Sequence, residues 1–210
     1  KHLYMNNNIK PLPNFLVKRH KDWNKKLNNK SKKEYLRLAN EGQKPKFMLI
    51  SCCDSRINPY SIFGSDVGEF FIHRNIANLV PPFNTKNKFQ ETSASIEFAV
   101  KSLKIKNIII LGHSNCGGIK NLIKSFSDKK KSNNNLFVNN WLKIINISRL
   151  IRFNQINTNK KQELFEKENI KNSLLNLCDY PFIKNLIKKE KINIHGLWFN
   201  IASRKLSYLN

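Results

Sequence analysis

The sequence has few cysteines and no long apolar segment, and both absences narrow the class of protein. Its 210 residues include four cysteines, whereas disulfide-stabilised scaffolds are typically short, secreted and richer in cysteine. No apolar run approaches the roughly 20 residues that a membrane-spanning helix needs. No secretory leader with a charged and then an apolar region is recognisable. We therefore expect a soluble cytoplasmic protein whose thiols are reduced.

Acidic residues are also scarce. The chain has 14 Asp and Glu against 38 Lys and Arg, a formal charge of +24, which raises the possibility of a nucleic-acid or anionic partner. The lysines are dispersed, as at 129–131 and 188–189, without an arginine-rich helix or interleaved aromatic residues. The pattern indicates a solvated basic surface and weak, salt-sensitive binding of polyanions. We expect no specific nucleic-acid partner and no membrane partner.

Neither an internal repeat nor a linker interrupts the chain. Its length suits one sizeable core, so we predict a single domain over residues 1–210, with a helical arm at about 14–42 and a core at about 43–210. The arm reads as two helices. The second begins with a capping-box pattern, Ser31 followed three positions later by Glu34.

Two continuous apolar runs predict buried strands, at residues 46–51 and 107–112, and a shorter strand is predicted at 69–72. Between them, Thr92 or Ser93 is expected to cap a helix. Strands that alternate with helices predict an α/β fold with a mainly parallel central sheet flanked by helices.

The second half of the chain continues this alternation. A polar loop is predicted at 127–135, and helices near 136–153, 163–178 and 182–188. The chain then ends in two strands, 192–201 and 205–209, that form an edge hairpin.

Three residues that suit a metal site follow the two buried strands. Cys52 ends the first strand, and His113 and Cys116 follow the second. Two thiolates and one imidazole suit Zn²⁺, whose catalytic sites take three protein ligands and leave a position for water. Parallel α/β sheets bind ligands beyond the carboxyl ends of their strands. The turn at 117–118 places Cys116 at a helix N-terminus, which favours its thiolate form.

Asp54 and Arg56 stand at alternate positions directly after Cys52. In extended backbone their side chains point the same way, so the arginine fork can hold the carboxylate. Asp54 then either orients a water on the metal or occupies the fourth metal position itself. Phe71, Ile76 and Phe98 can form an apolar pocket or simply belong to the core.

These motifs resemble the β-class carbonic anhydrases, whose hallmarks are Cys-x-Asp-Ser-Arg, here at 52–56, and His-x-x-Cys-Gly-Gly, here at 113–118. Segments 43–47, 68–81, 92–100, 180–182 and 195–199 are also similar to the family. The resemblance covers about residues 14–207. It implies one zinc per subunit on Cys52, His113 and Cys116, with water or hydroxide as fourth ligand and the Asp54–Arg56 pair as its gate.

The resemblance also implies a pocket for CO₂ or bicarbonate. We predict that it contains Gln43, Phe71, Ile76, Phe98 and Gly117. In the family, the residues at Gln43 and Phe71 come from the neighbouring subunit, which implies a homodimer or a higher even oligomer.

Three positions depart from common family patterns. Phe98 replaces the tyrosine of plant-type members, and Cys53 occupies a position usually taken by a small residue and is expected to pack away from the metal. Leu49 stands where self-regulating members carry tryptophan, although Arg74 is retained. We therefore expect the open, plant-like site.

The resulting hypothesis is a carbonic anhydrase, a lyase that hydrates CO₂ reversibly to bicarbonate and a proton. His73 is a candidate proton relay by its chemistry alone. The alternatives are hydrolysis of CS₂ or COS on the same scaffold, and a non-catalytic zinc or nucleic-acid-binding protein.

Overall fold

The computed structural model describes residues 10–86, 90–127, 135–146 and 160–209. The chain divides into two compact units, one that ends at Gln43 and one that begins at Lys44. This division lies one residue after the predicted boundary between arm and core, and the single domain stays a prediction.

The first unit contains two helices, α1 (Asn14–Lys26) and α2 (Asn29–Glu41), and no residue of either helix is buried. The predicted capping box is wrong. Asn28 caps α2, because its side chain accepts the Ser31 N–H at 2.8 Å. Glu34 instead pairs with Arg37 at 2.6 Å, one turn further along the helix surface.

The second unit is built on a five-stranded sheet. The strands are β1 (Phe47–Cys52), β2 (Phe70–Asn75), β3 (Asn107–His113), β4 (Asn193–Asn200) and β5 (Lys205–Leu209). Their order is β2-β1-β3-β4-β5. All neighbours pair in parallel except β4 and β5, which form the predicted antiparallel hairpin at the sheet edge. The predicted α/β class is confirmed.

Six helices accompany the sheet within the described residues. They are α3 (Pro59–Phe63), α4 (Glu91–Glu97), α5 (Gly117–Ser127), α6 (Leu136–Leu142), α7 (Lys161–Cys178) and α8 (Pro181–Lys188). A 3₁₀ turn spans Ile76–Asn78, and a π turn, Phe98–Ser102, extends α4. No helix in these ranges is both long and apolar enough to cross a membrane.

Two details of the helix predictions change. Neither Thr92 nor Ser93 caps α4: the position before the helix is Gln90, which makes no side-chain cap. The Thr92 hydroxyl instead contacts His73 at 3.1 Å. The predicted loop at 127–135 falls largely on residues 128–134, which lie outside the described residues. The predicted helix at 136–153 begins as expected, but α6 ends at Leu142, and residues 147–153 of that prediction also lie outside the described residues.

Alternate residues of the central strands pack into different clusters, as the period of a strand requires. Met48 and Ile50 join a cluster that includes Ile170 of α7, whereas Leu49 joins another with Ile109 and Leu111. Apolar residues on both faces explain why β1 and β3 read as continuous hydrophobic runs.

Two glycines allow α7 to lie close against the sheet. A Cβ atom on Gly112 of β3 would stand 2.6 Å from Ile170 Cδ1, and one on Gly196 of β4 would stand 2.8 Å from Leu174 Cδ1. Contacts that short do not occur between real carbon atoms, so a larger residue would have to displace the Ile170 or Leu174 side chain or push the helix outward. These two glycines therefore permit the close packing of α7 on β3 and β4.

We predict that Gly112→Ala destabilises the fold by about 1–3 kcal/mol, the usual cost of overpacking a core. Ile170→Val removes Cδ1, the atom nearest to the added methyl group, and costs about 0.5–1.5 kcal/mol alone. The double variant should lose less free energy of unfolding than the sum of the two single variants. Urea unfolding of all four proteins measures this coupling, and strictly additive losses would contradict the close approach.

Candidate metal centre

Parallel pairing brings the three predicted metal ligands together. β1 and β3 are neighbours in register from Met48↔Ile108 to Ser51↔Leu111, so their carboxyl ends meet at one edge of the sheet. Cys52 and His113 end these strands, and Cys116 lies directly before α5. One donor atom from each of the three residues lies within 4.8 Å of the others, and all three side chains are buried.

The turn between His113 and Cys116 is held by β4. Ser114 donates its N–H to Phe199 O at 2.9 Å, and its hydroxyl accepts the Ile201 N–H at 2.9 Å. His113 Nδ1 lies 2.9 Å from Ser114 O, which orients the ring and gives Nδ1 the proton. The other nitrogen, Nε2, is buried and has no hydrogen-bond partner among the described residues. A ring held in this way presents Nε2 as a free ligand.

The two sulfur atoms lie 3.9 Å apart, within hydrogen-bond distance of each other. The pKa of Cys52 is lowered to about 4, chiefly by the hydrogen bond from Cys116 and also by the His113 side chain and the backbone N–H groups of Asp54 and Ala77. The pKa of Cys116 is correspondingly raised, because its proton bonds the Cys52 thiolate and because it is buried; the N–H groups of Gly118 and Ile119 act in the opposite direction. Four backbone donors thus face the two sulfur atoms.

This donor set fits zinc. Two thiolates about 2.3 Å from a tetrahedral zinc ion lie about 3.8 Å apart, and the observed separation is 3.9 Å. The unpartnered Nε2 of His113 completes three ligands of the kind that Zn²⁺ prefers. Cys53 does not belong to the cluster, and its side chain is exposed.

Asp54 and Arg56 form the predicted pair beside the cluster. Asp54 Oδ1 accepts the Arg56 backbone N–H at 3.0 Å and Nε–H at 2.9 Å, and Oδ2 accepts Nη2–H at 2.6 Å. These bonds hold the pKa of Asp54 well below its usual range. Arg56 also donates to Asn115 O at 3.0 Å, which ties the pair to the second ligand turn. Asp54 Oδ2 lies 3.9 Å from His113 Nε2.

Arg74 has a role that the sequence did not reveal. From β2 it donates to Cys52 O at 3.0 and 2.8 Å and to Asp54 O at 2.9 Å. Carbonyl groups that follow a strand need partners when they leave the sheet. Arg74 therefore fixes the backbone that carries both Cys52 and Asp54.

A cavity of about 480 Å³ lies beside the cluster, and Cys52 is the metal ligand that lines it. Cys52 and Asp54 both line it. The other lining residues are Cys53, Ile76, Gly117, Gly118, Lys120, Asn121, Lys124, Asn135 and Val138. The cavity thus combines the metal ligand, the ionised carboxylate and an apolar wall.

The predicted pocket residues separate into two groups. Ile76 and Gly117 line the cavity together with Cys52 and Asp54. Phe71 and Phe98 do not; their rings contact each other at a tilt of 34° with centroids 5.9 Å apart, and Phe98 is 46% exposed. Gln43 ends the first unit and is exposed. For Gln43, Phe71 and Phe98, a place in the pocket stays a prediction.

His73 lies in a buried polar network. Its Nε2 contacts Thr92 Oγ1 at 3.1 Å, Asn75 Nδ2 lies 3.3 Å away, and Nδ1 lies 3.2 Å from Glu91 Oε1. Burial lowers the pKa of His73. The His73 side chain does not line the cavity that contains Cys52 and Asp54. These contacts therefore favour a structural histidine over a proton relay.

Helix α7 supplies a second set of residues that the sequence did not reveal. Five polar side chains, here called the polar stripe of α7, contact the segments around the cluster: Gln162, Glu166, Asn169, Ser173 and Asn176. They recur at helical spacing on one face. Polar residues at core spacing in an otherwise buried helix are the signal that could have identified them.

Comparison with known proteins identifies close similarities. The profile of a family described as carbonic anhydrase matches residues 47–206. Beta carbonic anhydrase 6, mitochondrial, from Arabidopsis thaliana is 36% identical over 167 residues, which cover 78% of this chain and 56% of that protein. The chain thus spans just over half the length of this plant relative.

Solved structures share the fold over nearly the whole chain. The β-carbonic anhydrase CcaA superposes with a TM-score of 0.84 at 28% identity, covering 94% of this chain and 87% of that one. A tetrameric β-carbonic anhydrase from Sordaria macrospora superposes with a TM-score of 0.79 at 27% identity, covering 94% and 96%.

Two serine substitutions test the ligand set. Cys52→Ser removes one thiolate and should lower bound zinc to a small fraction of the stoichiometric amount, because three ligands are needed. Cys53→Ser is the matched control, since it alters the neighbouring thiol outside the cluster and should leave zinc content unchanged. Zinc in both purified variants is measured by elemental mass spectrometry. Loss of zinc from Cys53→Ser instead would reassign the ligand.

Proposed function

This chain belongs to the β class of the carbonic anhydrase family, and we propose that it catalyses the reversible hydration of CO₂ to bicarbonate and a proton. The proposal rests chiefly on the position of Asp54, which Arg56 holds beside the Cys52, His113 and Cys116 cluster and which lines a cavity with Cys52. A structural zinc site has four protein ligands and no use for such a carboxylate.

Cys52, His113 and Cys116 would hold the zinc ion, one per subunit. When bound there, Zn²⁺ supplies Lewis acidity that lowers the pKa of water to about 7 and so makes a nucleophile available at neutral pH. Asp54 Oδ2 lies near enough to the cluster to accept a hydrogen bond from the attacking water. Because an ionised carboxylate only accepts hydrogen bonds, Asp54 also selects the orientation of that water.

The contacts of Asp54 favour the open site over one closed by Asp54. To occupy the fourth metal position, the carboxylate would have to leave the Arg56 fork and give up the bonds that both of its oxygens accept. Charge-assisted bidentate pairs are among the stronger hydrogen bonds in proteins. Leu49 supports the same state, since it is a buried core residue in the position of the regulatory tryptophan.

The substrate side of the proposal uses the cavity. Ile76 offers CO₂ an apolar wall, and Trp141 holds this wall by donating its indole N–H to Ile76 O at 2.8 Å. Gly117 leaves room at the start of α5, where an added Cβ would meet no atom within 4 Å. Small apolar walls suit a linear, uncharged substrate.

We predict that zinc-loaded wild-type protein hydrates CO₂ at neutral pH and that Asp54→Ala lowers kcat/KM by about 10–100-fold while it retains zinc, as substitutions around a metal site typically do. Arg56→Lys keeps the positive charge but loses the bidentate fork, and it should also lower kcat/KM. Stopped-flow hydration with a pH indicator measures both, from neutral to alkaline pH.

Asp66→Ala serves as the control, because Asp66 is exposed and does not line the cavity. Stoichiometric zinc without hydration at any pH would contradict the proposed activity. Wild-type activity confined to alkaline pH, with a gain at neutral pH in Asp54→Ala, would show the closed site. Faster hydrolysis of COS or CS₂ than hydration of CO₂ would assign the alternative substrate.

We propose further that the chain acts as a homodimer or a higher even oligomer in the cytoplasm. The Sordaria macrospora relative is described as tetrameric. Phe71 and Phe98 form an aromatic surface outside the cavity of their own chain. This placement suits the proposal that Phe71 and Gln43 complete the pocket of a neighbouring subunit.

Mixed dimers test the shared pocket. A dimer of one Cys52→Ser chain and one Gln43→Ala chain, isolated through two different tags, should have about half of the wild-type activity, because one of its two symmetric sites is intact. Both homodimers should be far less active. If Gln43 acts within its own chain, both sites of the mixed dimer are defective and no activity is regained.

The reciprocal control places both substitutions in one chain and pairs it with a wild-type chain. The site that holds zinc then lacks the partner's glutamine, so this dimer should be weakly active. Half activity in this control, with none in the first mixed dimer, would contradict the shared pocket.

A further inference from the structure

Glu166 of α7 is a buried carboxylate that the proposed reaction does not use. Its side chain is 3% exposed. Oε1 accepts the Cys116 backbone N–H at 2.9 Å and Gln162 Nε2–H at 3.0 Å, and Oε2 accepts the Trp198 indole N–H at 3.1 Å. Each of these neighbours is an N–H donor, so both oxygens act as acceptors, as they do in a carboxylate.

The contact with Cys116 reaches a metal ligand directly. The peptide before Cys116 points its N–H at Glu166 Oε1, and Gln162 Nε2 approaches the carbonyl after it at 3.4 Å. Helix α7 thus contacts the backbone on both sides of Cys116. Since the direction of a side chain follows from its backbone, these contacts set where the Cys116 sulfur lies relative to Cys52.

The carboxylate itself is held by a third element. Trp198 lies on β4 and is buried, and its indole N–H fixes Oε2. Lys167, also on α7, places its Nζ 4.6 Å from the centre of the Trp198 ring. Burying a carboxylate costs free energy that burying a neutral side chain of similar shape does not. Packing alone therefore does not explain a glutamate at position 166.

We propose that Glu166 is a positioning residue for the metal ligand Cys116, acting through the Cys116 N–H and itself oriented by Trp198. The inference rests on the metal site of the proposed function but not on catalysis. Partners of this kind, which orient ligands without touching the metal, typically change metal affinity by about 10–100-fold when they are replaced.

The test is zinc release from the full chain, loaded with one zinc, into an excess of a chromogenic chelator. Glu166→Gln keeps the shape of the side chain but replaces one acceptor oxygen with an NH₂ group. That group must face an N–H donor, either of Cys116 or of Trp198. We expect zinc release to be about 10–100-fold faster and the sulfur-to-metal charge-transfer band of the Co²⁺-substituted protein to change.

Two further variants separate positioning from general stability. Leu177→Ala creates a cavity in the same helix, away from Cys116, where Leu177 is fully buried. It should lower thermal stability while zinc release stays close to the wild-type rate. Glu166→Gln with Trp198→Phe removes the indole donor, so the amide can turn its oxygen to Cys116, and zinc release should return towards that of Trp198→Phe alone.

Zinc release from Glu166→Gln at the wild-type rate, with an unchanged cobalt spectrum, would overturn the proposal. The proposal would also be overturned if Leu177→Ala released zinc as fast as Glu166→Gln when the two variants have the same melting temperature. Zinc retention and cobalt spectra do not depend on turnover, so a zinc-loaded wild type that fails to hydrate CO₂ would overturn the proposed function alone.

Discussion

The parallel pairing of β1 with β3 is the constraint on which the site depends. Parallel neighbours end at the same edge of a sheet, so Cys52 and His113 emerge side by side although they are distant in sequence. Each strand is buried on both faces, which leaves little freedom for its register to slip. The short turn from His113 to α5, which β4 and α7 hold through hydrogen bonds, then adds Cys116.

Around this edge, hydrogen bonds to the backbone do most of the positioning. Arg74 holds the carbonyls of Cys52 and Asp54, Ser114 ties the second ligand turn to β4, and the polar stripe of α7 contacts the segments on either side. Ala77 and Asn78 have φ values of 63° and 48°, which non-glycine residues rarely adopt. Asn169 and Ser173 bond their carbonyls at 2.8 and 3.2 Å and so hold this segment beside Cys52.

The buried polar stripe explains why polar residues interrupt the apolar pattern of α7. One face packs on the sheet through Ile170 and Leu177, and another satisfies backbone groups of irregular segments. A helix with such neighbours cannot be apolar throughout, because unpaired backbone groups in the core would destabilise the fold. Its polar positions are therefore part of the core and not a solvent-facing side.

Much of this architecture was predictable because strong local patterns carried it. Long apolar runs located β1 and β3, and the turn residues before β5 located the hairpin, each within one or two residues. Predictions failed where one local signal competed with another. Asn28 lies directly before α2 and supplies the acceptor that caps this helix. Because α4 begins at Glu91, Thr92 lies inside the helix, and its hydroxyl contacts His73 instead.

The sequence by itself determined the donor types, their order and the strands that present them, because these follow from side-chain chemistry and hydrophobic period. Only the tertiary structure decided that Ile76 lines the cavity with Cys52 while Phe71 and Phe98 do not, and that Glu166 reaches Cys116. The physical reason is that such contacts join segments far apart in the chain. Their geometry depends on how closely α7 approaches the sheet, which Gly112 and Gly196 allow but no local pattern encodes.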